Sequence, residues 1–321
     1  MEKWYLKKLY EETDQPTLRF AFQGTVNWMR ALAISVEDES FNENLNGFYK
    51  KIKRRNYNKK ADLIAFENIL MAIHNLHSLQ SINENIDNPY SIARTQIVSW
   101  YYTIYYASSA MIGASSGTIQ ETHSNTAKVW NTEFIKKDLV IYPFDLSVDT
   151  LVEKNVKEKV KELRVGNTYN LDNYPSAMEE AKGAIISYLN GTAGYKKWQI
   201  EEEVKKSKEF KNLEVENFRK KVARELRDKK LEKGIVNFLV QAFRYRGKAH
   251  YRDSVFLSYG DDRADDLKQF NKDLEIVAKA FLKMASRYVR MRVKEKDWDI
   301  FLSDLDNNLR FNFDTAFLNI E

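Results

Sequence analysis

The amino-acid sequence predicts an all-α protein, and two observations support that prediction. Glycine and proline are scarce, at 11 and 4 of 321 residues, so few positions interrupt regular structure. Long stretches of the chain also repeat apolar residues every three to four positions, which is the spacing of one buried helical face. We therefore expect a helical bundle.

The first half of the chain is predicted to contain four helices. Phe20–Val36 and Ala61–Leu79 carry apolar residues at helical spacing, and between them an acidic turn, EDESFNEN, precedes a basic stretch. A third helix is expected from Ser91 to about Ser115. A fourth helix follows it, with Thr122 or Ser124 as its N-cap.

The second half is predicted to be helical and more polar. Leu151–Arg164 is a lysine-rich amphipathic pattern, and Ser176–Leu189 is a helix that we expect to stop at Asn190-Gly191. Trp198–Leu231 alternates Glu and Lys, which predicts a long exposed helix or a helix pair held by ion pairs. A further helix is expected to restart at Gly234 and to lead into a strongly basic stretch.

The composition indicates a soluble globular protein, with 43% hydrophobic and 30% charged residues. The absence of cysteine excludes disulfides, thiol nucleophiles and cysteine-zinc sites, and it fits a reducing cytoplasm, which is the expected location. The charged start MEKWYLKKLYEE argues against a secretory peptide. Thr95–Gln120 has no charged residue, but its many hydroxyl groups favour a soluble core over a membrane span.

The formal charge of +5 is only mildly basic, so its distribution matters more than its size. Basic residues concentrate in FYKKIKRRNYNKK, Phe48–Lys60, and in SRYVRMRVKEK, Ser286–Lys296. Such stretches are either solvated faces or surfaces that contact phosphates, and the sequence leaves both interpretations open.

The stretch FRYRGKAHYRD, Phe243–Asp253, is the strongest candidate for chemistry because it combines three arginines and a lysine with one histidine. An imidazole can move a proton near neutral pH, and a guanidinium can hold phosphate charge; phosphodiester cleavage without a metal needs both. Five residues separate Arg244 from His250, so both could line one cleft if the segment is helical. Alternatively, His250 is a partly buried histidine bonded to a backbone carbonyl.

No metal or cofactor site is expected. His74 and His77 have the i, i+3 spacing of metal ligands, but no carboxylate or third histidine lies near them in the sequence. His123 is expected to support the start of its helix. Gly-rich phosphate loops, zinc-binding histidine pairs with a glutamate, and serine elbows do not occur, which disfavours other classes of hydrolase.

Three segments in order resemble motifs of the HEPN superfamily (higher eukaryotes and prokaryotes nucleotide-binding). They are WYYTIYYASSAMIG from Trp100, ETHSNTAKVWNTEFI from Glu121, and FRYRGKAHYRD. The resemblance implies an all-helical endoribonuclease that needs no metal, from a toxin–antitoxin or phage-defence system. It also implies a homodimer whose two motifs face one RNA cleft.

Mapped onto the resemblance, the chain divides into several parts. An N-terminal helical extension is expected at residues 1–85, a HEPN-like helical domain at 86–295 with a charged helical insertion at about 151–233, and a C-terminal segment at 296–321. Residues 1–85 could form a separate domain or pack on the same core.

The resemblance also implies residue roles. His250 would act as general base or acid in attack of the 2′-hydroxyl on the neighbouring phosphate, and Arg244 would bind that phosphate. Arg246 is the third catalytic candidate. Counted from Arg246, however, RGKAHY is similar to an R-x-x-A-D-Y variant found in members that are not obviously nucleases, and Tyr245 stands where active members usually have a polar residue. In that alternative Arg246 is the structural arginine and Arg244 an ordinary surface charge. The expected RNA contacts are Lys248, Tyr251, Arg252, Lys51, Lys53, Arg54 and Arg55.

Two functions therefore stay open. The first is a metal-independent endoribonuclease, with RNA, a second copy and an antitoxin or defence-system protein as partners. The second is a catalytically inactive HEPN-like module that binds a partner protein or a nucleotide. Neither needs a membrane.

Overall fold

The computed structural model describes residues 23–84, 88–250 and 264–318, with only the backbone of His250. These residues form an all-α structure with no β-strand, and their one isolated β-bridge joins Val148 to Val236. A π-helical turn at Gln23–Asn27 precedes the first α-helix.

The described α-helices are α1 Trp28–Glu37, α2 Glu39–Phe48, α3 Lys59–Glu84, α4 Pro89–Ser116, α5 His123–Glu133, α6 Glu153–Arg164, α7 Met178–Lys206, α8 Lys208–Lys211, α9 Lys221–Leu231, α10 Phe238–His250, α11 Ala264–Arg292 and α12 Glu295–Asn308. Short 3₁₀ turns occur at Ile135–Lys137 and Thr315–Leu318.

Helix α4 lies at the centre of the bundle and packs against α3, α5, α10 and α11. It begins with Asn88 as N-cap and Pro89 in its first turn, and it ends at Gly117, whose left-handed φ of 69° suits glycine. Close packing against α3 depends on Gly113, because a Cβ there would lie 2.6 Å from the Ile64 side chain. The sequence prediction of this helix is thus confirmed to within two residues at either end.

Helix α1 belongs to the same core. The Trp28 ring stacks on Tyr188 of α7 at 4.1 Å between centroids and contacts Tyr245 of α10 at 4.9 Å and Trp100 of α4 at 6.1 Å. Trp28 and Trp100 are completely buried. The described part of the N-terminal segment is therefore continuous in its packing with the rest of the bundle; residues 1–22 lie outside the described residues.

The expected turn EDESFNEN is wrong, because most of it is helical. Asp38 caps α2 by accepting a hydrogen bond from the Ser40 amide at 3.0 Å. Phe41 and Leu45, four residues apart, are buried on the inner side of this helix. Acidic residues therefore mark the first turn of a helix and its solvated face.

The expected stop at Asn190-Gly191 is also wrong, since α7 continues through it to Lys206. Thr192 and Ala193, directly after the glycine, are buried against the neighbouring helices, so packing holds the segment helical. Beyond it, α7, α8 and α9 enclose a small apolar cluster of Val204, Phe210 and Ala223. The charged region is thus more than a surface arm held by ion pairs.

The structure contains, within the described residues, no helix with the length and apolar character needed to cross a bilayer. The uncharged Thr95–Gln120 segment is mostly α4, and several of its hydroxyls are hydrogen-bonded within the protein, among them Tyr101 with His123 and Ser108 with the Tyr105 carbonyl.

Candidate functional site

Three helices meet where the sequence motifs come together: α4, the start of α5 and the middle of α10. Thr122 is the N-cap of α5, and its hydroxyl oxygen accepts a hydrogen bond from the Asn125 amide at 3.2 Å. Asn237 fixes the start of α10, because its Oδ1 accepts from the Val240 amide at 3.1 Å and its Nδ2 donates to the Ala127 carbonyl of α5 at 2.9 Å.

His123, the first residue of α5, lies in an aromatic cage. Its Nδ1 is 2.7 Å from the hydroxyl of Tyr101 on α4. Its ring stacks on Phe243 of α10 at 5.2 Å between centroids and meets the ring of Tyr105 edge-on at 4.5 Å. Because the hydrogen bond with Tyr101 occupies Nδ1, Nε2 is the ring nitrogen that can face a ligand.

Arg246 brings positive charge to the same place. Its guanidinium lies 5.2 Å from the ring centroids of both Tyr101 and Phe243, and its Nη1 donates to the Tyr102 hydroxyl at 3.2 Å. Its Nε is buried and has no hydrogen-bond partner among the described residues. No carboxylate in the described ranges forms an ion pair with it, so the cation keeps unused capacity for an anion.

The electrostatics follow from this arrangement. Burial, and secondly the neighbouring Arg246 cation, lowers the pKa of His123, so the imidazole is neutral at neutral pH. Burial raises the pKa of Tyr101 despite Arg246, so its hydroxyl stays protonated. The site therefore contains a neutral proton acceptor beside a permanent cation.

Arg244 lies on a different side of α10. Its Nη1 donates to the Thr192 hydroxyl of α7 at 2.9 Å, and its guanidinium lies 4.6 Å from the Tyr195 ring centroid. Lys248 faces the same way, with Nζ 5.6 Å from the Tyr188 ring centroid. Tyr245 is buried and donates to the Thr25 carbonyl at 2.8 Å.

The helical spacing decides which arginine accompanies position 250. Residues 244 and 250 are about 120° apart around a helix axis, whereas 246 and 250 are about 40° apart. The structure thus brings Arg246 together with the tyrosines and His123, on the face that carries position 250, and leaves Arg244 on another face. The His250 side chain, Tyr251 and Arg252 lie outside the described residues.

The basic stretch at Lys51 to Arg55 is not part of this cluster. Arg55 donates to the Ala114 carbonyl at 3.0 Å and pairs with Asp62, and its side chain is nearly buried. Since Ala114 lies twelve residues beyond Tyr102 on α4, the two places are about 18 Å apart.

The other basic residues of that stretch are exposed. Arg54 forms a 3.0 Å ion pair with Glu295, while Lys51 and Lys53 face solvent. The carboxylates that neutralise Arg54 and Arg55 lie outside the stretch itself, which is why the sequence there shows only basic charge.

The two histidines at metal-like spacing contact an aromatic ring instead. His77 stacks on Phe311 at 4.1 Å between centroids, and His74 meets the same ring edge-on at 4.9 Å. In the part of the chain that the structure describes, no group of three or more His, Cys, Asp or Glu side chains is arranged to hold a metal ion.

His123 is the functional candidate that sequence reasoning underrated. Its helix is capped by Thr122, while its own ring is bonded to Tyr101, twenty-two residues earlier in the chain. The available signal was the pairing of a tyrosine-rich helix with a histidine at the next helix start. Compared with family models, curated proteins and solved structures, the chain matches none of them.

Proposed function

We propose that this protein is a metal-independent endoribonuclease of the HEPN-like type. The 2′-hydroxyl oxygen of a ribose attacks the adjacent phosphorus, a P–O bond to the 2′-oxygen forms, and the P–O5′ bond breaks. The 2′-hydroxyl proton passes to a base, and the leaving 5′-oxygen takes a proton from an acid. The products are a 2′,3′-cyclic phosphate and a 5′-hydroxyl end.

The observation that carries the proposal is the pairing of Arg246 with His123. A half-buried guanidinium without a described carboxylate partner attracts a phosphate, and a neutral imidazole in the same aromatic cage can accept a proton. Low polarity around the pair strengthens the attraction between the guanidinium and the charge that develops on the phosphate.

Each residue then has a role in the proposed reaction. Arg246 holds the phosphate and stabilises its additional negative charge. His123, in the tautomer whose Nδ1–H donates to the Tyr101 hydroxyl oxygen, accepts the 2′-hydroxyl proton through Nε2. Tyr101 orients the His123 ring through the 2.7 Å hydrogen bond. His250, one turn beyond Arg246 on α10, supplies the proton to the 5′-oxygen.

The biological setting is part of the same proposal. An enzyme that cuts cellular RNA without a metal suits a toxin–antitoxin or phage-defence effector in the cytoplasm, restrained by a partner protein. A homodimer would bring two Arg246 clusters to one RNA. Light scattering on the purified protein measures its mass and tests the dimer directly.

The test uses purified protein with total RNA and tRNA in EDTA, followed by mapping of the RNA ends. Cleavage with cyclic phosphate ends is expected for the wild type, and a loss of at least a hundredfold for Arg246→Ala, His123→Ala and His250→Ala. His74→Ala is the matched control and should cut normally, because that exposed ring contacts only Phe311 among the described rings. Intact RNA at high wild-type concentration refutes the proposal.

A second candidate is a catalytically inactive helical module that binds a partner protein or a nucleotide. The contacts of Arg244 with Thr192 and Tyr195 favour this second function, because Arg244 is the arginine that the motif spacing singles out and its guanidinium already binds side chains of the protein. Under this function, RNA stays intact with wild type and variants alike.

A further inference from the structure

A cavity of about 310 Å³ opens beside the Arg246 cluster, between α5, α7 and α10. His123 and Phe243 line one end of it, so the cavity and the cluster share these two rings. Ile200, Ile235 and Val240 supply apolar wall. The cavity is therefore continuous with the place where the proposed chemistry occurs.

Positive charge dominates this cavity. Four lysines line it and one carboxylate, Glu203, accompanies them. None of the four forms an ion pair with a carboxylate in the described ranges of the chain. Other lysines do form such pairs; Lys197 of α7, for example, pairs with Glu153 at 2.6 Å. The lysines are Lys128, Lys196, Lys230 and Lys233. A cavity with this balance attracts an anion.

An exposed aromatic pair adjoins the cavity on α7. Tyr195 and Trp198 are 38% and 55% exposed, and their ring centroids are 5.8 Å apart. Gln199, which lines the cavity, donates to the Tyr195 hydroxyl at 3.1 Å, and the Arg244 guanidinium lies 4.6 Å from the Tyr195 ring centroid. Tyr195 is thus in direct contact with a residue of the cavity wall, and Trp198 lies on the far side of Tyr195 from it.

Trp198 differs from the other tryptophans that the structure describes. Trp28, Trp100, Trp130 and Trp298 are completely buried in the core, whereas Trp198 is 55% exposed beside Tyr195, the ring that the Arg244 guanidinium contacts. Exposed aromatic rings next to a basic groove are the combination that binds single-stranded nucleic acid, because every base can stack and every phosphate can pair.

We infer that the lysine cavity and the Tyr195–Trp198 pair together bind a single-stranded RNA segment that flanks the phosphate to be cut. Backbone phosphates occupy the cavity between Lys230, Lys233 and Lys128, and an unstacked base lies on Trp198. The inference rests on the proposed function, since it extends the same RNA away from Arg246. Duplex RNA fits poorly because its bases are not free to stack on protein rings.

The test separates binding from cleavage by using a single-stranded 2′-O-methyl RNA, which has no 2′-hydroxyl nucleophile. Trp4→Phe protein serves as background, because Trp4 is the one tryptophan outside the described residues. Trp198 emission and fluorescence anisotropy of the labelled RNA are followed at several salt concentrations. The variants are Lys230→Ala/Lys233→Ala and Trp198→Ala; the matched control is Lys272→Ala/Lys296→Ala, two exposed lysines that do not line the cavity.

Binding is expected to quench Trp198 emission. Loss of the two cavity lysines should weaken RNA binding at least tenfold and reduce the slope of the logarithm of the binding constant against the logarithm of the salt concentration by about 1.4. Trp198→Ala should weaken binding at least fivefold, and the control variant should weaken it less than twofold. The inference is overturned if the 2′-O-methyl RNA binds equally well to wild type and both site variants, or if duplex RNA or a protein partner alone occupies the surface.

The two proposals fail separately. Intact natural RNA together with Trp198-dependent binding of the 2′-O-methyl strand removes the nuclease and leaves the binding surface. Normal cleavage with binding that does not depend on these lysines or on Trp198 removes the binding surface and leaves the nuclease.

Discussion

Asp145→Asn should stabilise the protein above about pH 6 and have little effect near pH 4. Asp145 lies in a turn between α5 and α6, and its Oδ1 is buried without a hydrogen-bond partner among the described residues. Burial, and more weakly the negative charge of Asp138, raises the pKa of this carboxyl from 3.8 to about 6, even though its own amide donates to it.

The size of the effect follows from that shift. Raising a carboxyl pKa from 3.8 to about 6 corresponds to about 3 kcal/mol of preference for the neutral form in the folded state. Because the folded protein then holds its proton more tightly than the unfolded chain, stability is greatest below pH 3.8 and falls as pH rises through about 6. An uncharged asparagine avoids that loss, so we expect a gain of about 1–3 kcal/mol at about pH 7.5.

Urea denaturation of wild type and Asp145→Asn at the two pH values measures the difference. Asp299→Asn, a change of the same type on the exposed side of α12, is the control and should leave stability unchanged at both. If Asp145→Asn has the same effect on the free energy of unfolding near pH 4 and near pH 7.5, the reasoning from burial is refuted.

Three further predictions concern packing and charge. Gly113→Ala should lower the free energy of unfolding by about 1–3 kcal/mol, because the added Cβ would meet a side chain of α3. Gly191→Ala should instead raise the free energy of unfolding by about 0.5–1 kcal/mol, because the added Cβ meets nothing within 4 Å and the position lies inside α7. Denaturant unfolding curves of the two variants measure both changes. Arg55→Ala should cost about 3 kcal/mol in the same assay, since it leaves a nearly buried carboxylate without its partner, yet leave RNA binding unchanged. The midpoint of the His123 titration, followed by NMR, should lie below 6.5 and rise in Arg246→Gln, because the neighbouring cation is removed; an unchanged midpoint would contradict the assigned electrostatics.

Local sequence signals were sufficient to predict the helices whose ends are fixed by capping residues within the same segment. Helix α4 has Asn88 and Pro89 at its start and glycine at its end, and α5 has Thr122, so both could be predicted closely. In α11 the buried residues include Phe270, Leu274 and Phe281, whose separations of four and seven residues are those of one helical face.

Prediction failed where packing overrides a local signal. Asn190-Gly191 is a stop signal in isolation, but α7 continues because the residues beyond it are buried against other helices. Acidic residues around Asp38 indicated a turn, whereas they start a helix whose inner face is apolar.

The candidate site could be predicted only in part, for a physical reason. The sequence singled out the α10 segment but could not decide between Arg244 and Arg246, because that choice depends on which neighbouring helix each side of α10 meets. The hydrogen bond between Arg246 and Tyr102 joins residues 144 positions apart in the sequence, and no local sequence pattern predicts a contact at that separation. The role of His123 was hidden in the same way, since its partner Tyr101 belongs to another helix.

Trp28 has a consequence for how the chain is made. Its ring partners Tyr188 and Tyr245 are synthesised 160 and 217 residues after it, as the residue numbers show (188 − 28 and 245 − 28). During translation the Trp28 ring can meet Trp100 of α4 early, but it emerges from the ribosome long before Tyr188 and Tyr245 can complete its surroundings. We therefore expect the core around Trp28 to be completed only after α10 has been synthesised, and until then its aromatic surface is partly exposed on the growing chain.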